Sequence, residues 1–226
     1  MTMSTEMLLF STYNFAFYLL LINLVFSFIF AFVYPEFSVV FAIEVLISCV
    51  AAVVYYLIIN ISKSAPNIKS IDWKQVTTLR YIDWTITTPL LLFSFSLFLS
   101  AGEKVKDLGN FIVKLIFFDL IMILSGYLGT INVLTRVWSQ IIGFLAYFII
   151  FYLIYQKFFS GKTITNHSSF KKIMFAAIVI LWFIYGVVYN ISTYDRNIAT
   201  NVLDGIAKGI FGLSLGGYLI LRENNK

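Results

Sequence analysis

Apolar positions along this chain gather into seven long runs, near Leu8 to Tyr34, Phe37 to Ile61, Val76 to Ala101, Leu108 to Gly129, Val133 to Phe159, Ile173 to Ser192 and Ile198 to Leu221. A helix needs about 20 apolar residues to cross the hydrocarbon of a bilayer, and each run meets that length. The breaks carry punctuation that ends helices: Pro35, Pro66-Asn67, Gly102, Gly129, Gly161 and the polar stretch Thr193 to Asn197. The pattern predicts an all-α fold, a seven-transmembrane-helix bundle forming one domain over residues 1–226, with no break long enough for an interdomain linker.

Composition agrees with that placement. Of 226 residues, 60% are apolar and 12% charged, whereas a soluble domain carries about 25% charged residues. An ordinary cytosolic globular domain is thereby excluded. The net charge of +5 does not point to nucleic acid, because the basic residues sit in short loops and form no basic face. They act instead as topology signals, since Lys and Arg are retained on the cytoplasmic side. With the N-terminus outside, the inner loops hold Lys104, Lys106, Lys157, Lys162, Lys171, Lys172, Arg222 and Lys226; the outer loops hold Lys63, Lys69, Lys74 and Arg196. The count favours N-terminus outside and C-terminus cytoplasmic. Met1 to Phe10 lacks a basic n-region, so the first run is expected to stay as a membrane helix. The lone Cys49 allows no internal disulfide, and the lone His167 leaves no metal-binding pattern.

Charges inside apolar runs are costly and are functional-site hypotheses by default. Glu44 lies in the second run, Arg80 and Asp83 in the third, Asp119 in the fourth, and Asp204 and Lys208 in the seventh. Any one of them alone could also be a structural buried pair that fixes helix packing. Lys208 is the sharpest, because it lies about halfway along its helix, too deep to snorkel easily. Its amine needs a partner or a covalent modification, and Asp204 lies one turn earlier on the same face. A buried lysine can condense with a carbonyl to form a Schiff base, which, once protonated, requires a carboxylate counter-ion. In the third run, Arg80, Asp83, Thr87 and Ser94 fall within about 60° of one another on a helical wheel, a polar stripe that should face the bundle interior. Pro89 on the same helix is tolerated in a membrane bundle.

Aromatic residues add to the picture. Trp182 and Tyr185 are three residues apart, with Tyr189 a turn further, while Trp84 and Trp138 can reach the same level. Such a cluster beside a buried lysine suits a long, flat, apolar ligand. For Tyr189 or Trp138 alone, a plain aromatic core explains as much.

Taken together, RYIDWTITTPLLL around Asp83, ILWFIY around Trp182 and LDGIAKGIFGL around Lys208 resemble the microbial (type 1) rhodopsins over essentially the whole chain. The resemblance implies all-trans retinal on Lys208 as a protonated Schiff base, with Asp83 as primary counter-ion and proton acceptor and Asp204 as second counter-ion. It makes Arg80 the extracellular gate and gives Tyr56, Tyr185 and Thr87 a supporting role at the acceptor. Trp84, Trp138 and Trp182 would sandwich the polyene, with Thr88 and Leu91 also on the retinal, and Thr88 and Asp119 would tether two helices.

The signature at the acceptor, threonine and donor positions reads Asp83, Thr87, Ser94, similar to rhodopsins of giant viruses of marine protists. Ser94 stands where the archaeal proton pump has a carboxylate, so the usual cytoplasmic donor is missing. A hydroxyl cannot store a proton as a carboxylic acid does, and reprotonation is expected to be slow unless another residue serves. Glu44, in the cytoplasmic half of its helix about 18 Å from Tyr56 along the axis, has three readings: a substitute donor, a gate in a cation pathway, or an interfacial charge. Gly186 replaces a proline that commonly follows Tyr185, and Asp195 is at best a weak proton-release group.

The leading reading is a light-driven outward proton pump, not an enzyme. A chloride pump normally lacks the carboxylate at Asp83, and the sodium-pump signature differs at the positions of Asp83 and Ser94. A light-gated cation channel, supported by Glu44, and a sensory photoreceptor are the alternatives. The expected partners are retinal, protons and the lipid bilayer, the host's if the protein is viral, with a homo-oligomer allowed and no nucleic acid.

Overall fold

In the computed structural model, residues 5–101, 105–160 and 169–225 are described. Lys104, Lys162 and Lys226 of the charge count, with Gly102, Gly161 and His167, lie outside them. The helices are α1 (Thr5–Val33), α2 (Ser38–Ser64), α3 (Trp73–Ser100), α4 (Leu108–Thr130), α5 (Arg136–Phe158), α6 (Ser169–Val188) and α7 (Thr193–Asn224). Seven helices among the described residues are long and apolar enough to cross a membrane. In lipid every backbone N–H and C=O must be satisfied within the protein, so runs of this composition close their own hydrogen bonds as helices. Pro35 opens a single 3-10 turn between α1 and α2, and Asn67 caps another before α3 by accepting from Lys69 N at 3.0 Å and Ser70 N at 3.1 Å.

One expected break falls earlier than predicted, at residues 189–192. Thr193 to Asn197, predicted as a loop, is the first turn of α7. Ser192 Oγ accepts from Asp195 N at 3.3 Å and donates to Asp195 Oδ2 at 2.7 Å, so it satisfies one of the backbone donors that a helix start leaves open. Ser192 is thus the N-cap, and Asp195 is an exposed first-turn residue whose carboxylate accepts from it. Farther along, α7 widens into a π turn over Gly205–Ile210, a feature that often marks functional positions.

Two compact units are formed, one by α1, α2, α3 up to Thr87 and α7, the other by α3 from Thr88 through α6 to Gly186. In the first, α1 lies along α2 and α7, and Leu9, Tyr13, Ala16 and Leu20 of α1 meet Ala51, Tyr55 and Ile58 of α2 in a buried cluster. Membrane helices gain little from the hydrophobic effect against each other and associate through close packing. Gly209 shows this: a Cβ there would meet Leu19 Cβ at 2.9 Å and its main-chain carbon at 3.3 Å.

In the second unit, α4 packs on α5, and polar ties join the helices. Ser139 Oγ donates to the Ser125 carbonyl at 2.8 Å, Tyr147 Oη to the Val179 carbonyl at 2.8 Å, and Lys171 Nζ to the Leu99 carbonyl at 2.7 Å. Phe32, Val113 and Ile173 are among the large apolar side chains left exposed, the surface a lipid tail would cover.

Candidate functional site

Two helical stripes build the site of the first unit. On α3, Arg80, Asp83 and Thr87 recur at three- and four-residue spacing; on α7, Asn197, Asn201, Asp204 and Lys208 do the same. Helical geometry puts each set on one face. Asp83 is 1% exposed, Asp204 0%, Lys208 2% and Arg80 5%, so water does little to screen these charges.

The cluster answers that burial with pairing. Lys208 Nζ donates to Asp83 Oδ2 and lies 3.5 Å from Asp204 Oδ1. Arg80 Nη1 stands 3.4 Å from Asp204 Oδ2. Tyr55 Oη donates to that same oxygen at 2.8 Å and accepts from Arg80 Nη1 at 3.2 Å. Trp84 Nε1 donates to Asp204 Oδ1 at 3.3 Å. Two cations face two anions, so the group carries no net charge. Removing one member of such a buried set typically costs about 3 to 5 kcal/mol, because its partner is left uncompensated.

Beyond Asp204 the guanidinium meets neutral groups. Arg80 Nε donates to Asn197 Oδ1 at 3.1 Å and Nη2 to Asn201 Oδ1, while Asn201 Nδ2 donates to Thr12 Oγ1 at 2.9 Å.

The structure corrects two positions. Tyr56 is 57% exposed, and its neighbour Tyr55, fully buried, makes the bond to Asp204. The buried face of α2 runs through Glu44, Ile47, Ser48, Ala51 and Tyr55; a residue one further on is turned by about 100° and leaves that face. Trp138 is 59% exposed near the start of α5 and turned away from that helix's buried residues Ser139, Ala146 and Tyr147. It therefore does not belong to an interior aromatic wall. Thr87 Oγ1 donates to the main-chain carbonyl of Asp83 at 2.9 Å and thus bonds that residue's backbone, not its carboxylate.

The other expected positions of the second unit are these. Leu91, Ser94 and Trp182 are buried, and Tyr185 is half-buried. Thr88 Oγ1 donates to Asp119 Oδ2 at 2.7 Å, joining α3 to α4. A Cβ on Gly186 would meet Phe144 Cζ at 2.5 Å, and its carbonyl accepts from Gln140 Nε2 at 3.0 Å. The Phe144 ring fills the space that a proline there would need.

Glu44 is fully buried, which removes the reading of it as an interfacial charge. Asn23 of α1 stands beside it, with Nδ2 at 3.4 Å from Glu44 Oε2, 2.9 Å from Ser48 Oγ and 3.4 Å from the Lys208 carbonyl oxygen. Asn23, Tyr55, Asn197 and Asn201 escape a search confined to charges. The spacing of Asn197 and Asn201 ahead of Asp204 was the available signal for two of them, and the eleven-residue step from Glu44 to Tyr55 for a third. For Asn23, in a mostly apolar helix, spacing points only to Ser27 one turn on, and its partners on other helices are not visible along the chain.

The family model for bacteriorhodopsin-like proteins matches residues 7–221. Green-light absorbing proteorhodopsin from Gamma-proteobacterium EBAC31A08 is 31% identical over 164 residues, covering 66% of this chain and 64% of that relative. The match therefore spans a little under two thirds of that protein. Among solved structures, viral rhodopsin OLPVRII shares the fold with a TM-score of 0.80 at 24% identity, over 94% of this chain and 98% of that one. The rhodopsin of Exiguobacterium sibiricum has a TM-score of 0.75 at 25% identity, over 93% and 94% of the two chains. With seven membrane-crossing helices and a family match along nearly its whole length, this chain belongs to the bacteriorhodopsin-like family, the microbial rhodopsins, multi-pass integral membrane proteins whose chromophore is retinal.

Proposed function

We propose that this protein is a light-driven outward proton pump, with retinal bound through Lys208 Nζ and Asp83 as the proton acceptor. The observation that carries this reading is the buried contact of Lys208 Nζ with Asp83 Oδ2 inside a cluster of no net charge. The residues fit the cofactor. Lys208 offers a buried amine beside two carboxylates, and Asp83 Oδ1 is a buried oxygen with no hydrogen-bond partner among the described residues, leaving a lone pair open to a proton. Trp84 beside the cluster, with Thr88, Leu91, Trp182 and Tyr185 at the positions matching the family's retinal contacts, would hold the polyene. When bound, retinal supplies absorption of visible light and a light-driven change of geometry at Lys208 Nζ.

The chain's own groups then account for the proton. Lys208 Nζ gives it to Asp83, the carboxylate it already touches. Asp204 stays an anion meanwhile, because Arg80, Tyr55 and Trp84 all direct N–H or O–H groups at it. Arg80 and the amides of Asn197 and Asn201 continue toward the start of α7, the outer end when the N-terminus is outside. Return of a proton falls to Glu44, a buried carboxyl tied through Asn23 to the backbone of Lys208, since Ser94 offers only a hydroxyl.

Photocurrents recorded at several voltages test the reading, because a pump current keeps its sign throughout. A current that reverses near a cation's equilibrium potential would replace the pump with a light-gated channel. That second reading has an observation of its own: polar side chains flank Lys208 on both sides along α7, with Thr12, Asn197 and Asn201 before it and Asn23, Ser48 and Glu44 near Gly212 beyond.

Flash photolysis tests the donor. Decay of the deprotonated state is expected to vary little with pH in the parent, whereas in Glu44→Gln it should slow about tenfold per pH unit, following the proton concentration. Adding Ser94→Asp to Glu44→Gln should restore fast decay by putting a carboxyl about three turns along α3 from Asp83. An unchanged decay in Glu44→Gln removes Glu44 from the path.

A further inference from the structure

Asn23 has one amide nitrogen and too many acceptors. A side-chain NH2 carries two hydrogens, yet Ser48 Oγ, Glu44 Oε2 and the Lys208 carbonyl oxygen lie at 2.9, 3.4 and 3.4 Å from Nδ2. At least one of the three is served poorly at any moment. The amide is otherwise well held: it is fully buried, and its Oδ1 accepts from Ser27 Oγ at 3.4 Å.

The approach of α7 is equally specific. A Cβ on Gly212 would collide with both Asn23 Nδ2 and Glu44 Oε2, so only a glycine lets α7 come this close. The carbonyl that reaches Asn23 belongs to Lys208, within the π turn Gly205–Ile210. Three helices thus converge on one amide, with the lysine's own backbone at one end and a buried carboxyl at the other.

We infer that Asn23 is a positioning residue for the return of the proton: its amide links Glu44 Oε2 to the Lys208 backbone, and its donation to Oε2 sets how readily Glu44 releases its proton. This rests on the reading of Glu44 as donor. In the balanced step, the Glu44 carboxyl loses its proton to Lys208 Nζ, becomes a carboxylate and is recharged from the medium. A bond from Nδ2–H strengthens on that change, because hydrogen bonds to ionised acceptors are roughly twice as strong as neutral ones. Ser48 competes for the same hydrogens, so losing its hydroxyl has the opposite effect to losing the amide.

The experiment is light-induced infrared difference spectroscopy with flash photolysis on the retinal-bound protein, comparing Asn23→Leu, Ser48→Ala and Glu44→Gln. The carbonyl band that Glu44→Gln abolishes is that of Glu44. In Asn23→Leu it is expected at higher wavenumber, with decay of the deprotonated state slowed about tenfold, the size of one lost hydrogen bond to a charged group. In Ser48→Ala the band should move to lower wavenumber. A decay that slows in Glu44→Gln but not in Asn23→Leu, with the band unmoved, overturns the role of Asn23 and leaves the donor standing. No slowing in Glu44→Gln removes the donor itself. If Asn23→Leu yields no pigment, Ser48→Ala decides: a fixed band there overturns the inference.

Discussion

Lys208→Ala, mixed with all-trans retinal, is expected to show no visible absorption band, while the parent absorbs in the visible. Lys208 is 2% exposed and held by two buried carboxylates, and among the described residues no other lysine stands beside such a pair. The substitution also removes one cation from the neutral cluster, taking its ion-pair partner from Asp83 while Arg80, Tyr55 and Trp84 still serve Asp204. A loss of about 3 kcal/mol in stability should accompany the loss of colour, so helical content by circular dichroism must be recorded with the spectrum. A visible band in a folded Lys208→Ala protein rules out the attachment site.

Asp83→Asn should abolish light-driven acidification of the medium and shift the band to longer wavelength. The amide has nearly the shape of the carboxylate but cannot take up the proton that Lys208 Nζ releases. It also removes the negative charge that touches the nitrogen, and with it much of the stabilisation of positive charge localised there in the dark. Asp204, 3.5 Å from the same nitrogen, keeps part of that stabilisation, so the pigment should still form. The two carboxylates are distinguished by their company. Asp204 is bonded by Arg80, Tyr55 and Trp84, whereas Asp83 has one oxygen on Lys208 and the other without a hydrogen-bond partner among the described residues. Undiminished acidification by Asp83→Asn would sink the pump mechanism.

Much of this protein was legible from its residues. The apolar runs specify seven helices because a bilayer of fixed thickness sets the length of any segment that crosses it and forbids an unsatisfied backbone inside. Asp83, Asp204 and Lys208 stood out because charge in that medium is costly enough to require a reason. Spacing along one helix, such as the four residues from Asp204 to Lys208, is local geometry and can be read without a fold.

Contacts between helices could not be read in that way. Tyr55 and Tyr56 are adjacent and chemically identical, and only the packing of α2 turns one to Asp204 and the other outward. Trp138 looked like an inner aromatic by type, but the rotation of α5 leaves it exposed. The polar stretch from Thr193 reads as a loop, yet Ser192 caps it as the start of α7 by accepting from Asp195 N. Asn23 is one of a few polar residues in a mostly apolar helix; its meaning depends on Glu44 and Lys208, 21 and 185 residues away along the chain. Chain composition determined which residues had to leave the lipid, because transfer cost belongs to each side chain alone. Tertiary structure decided which partners they met, because a hydrogen bond depends on distance and direction between helices that no single run of residues contains.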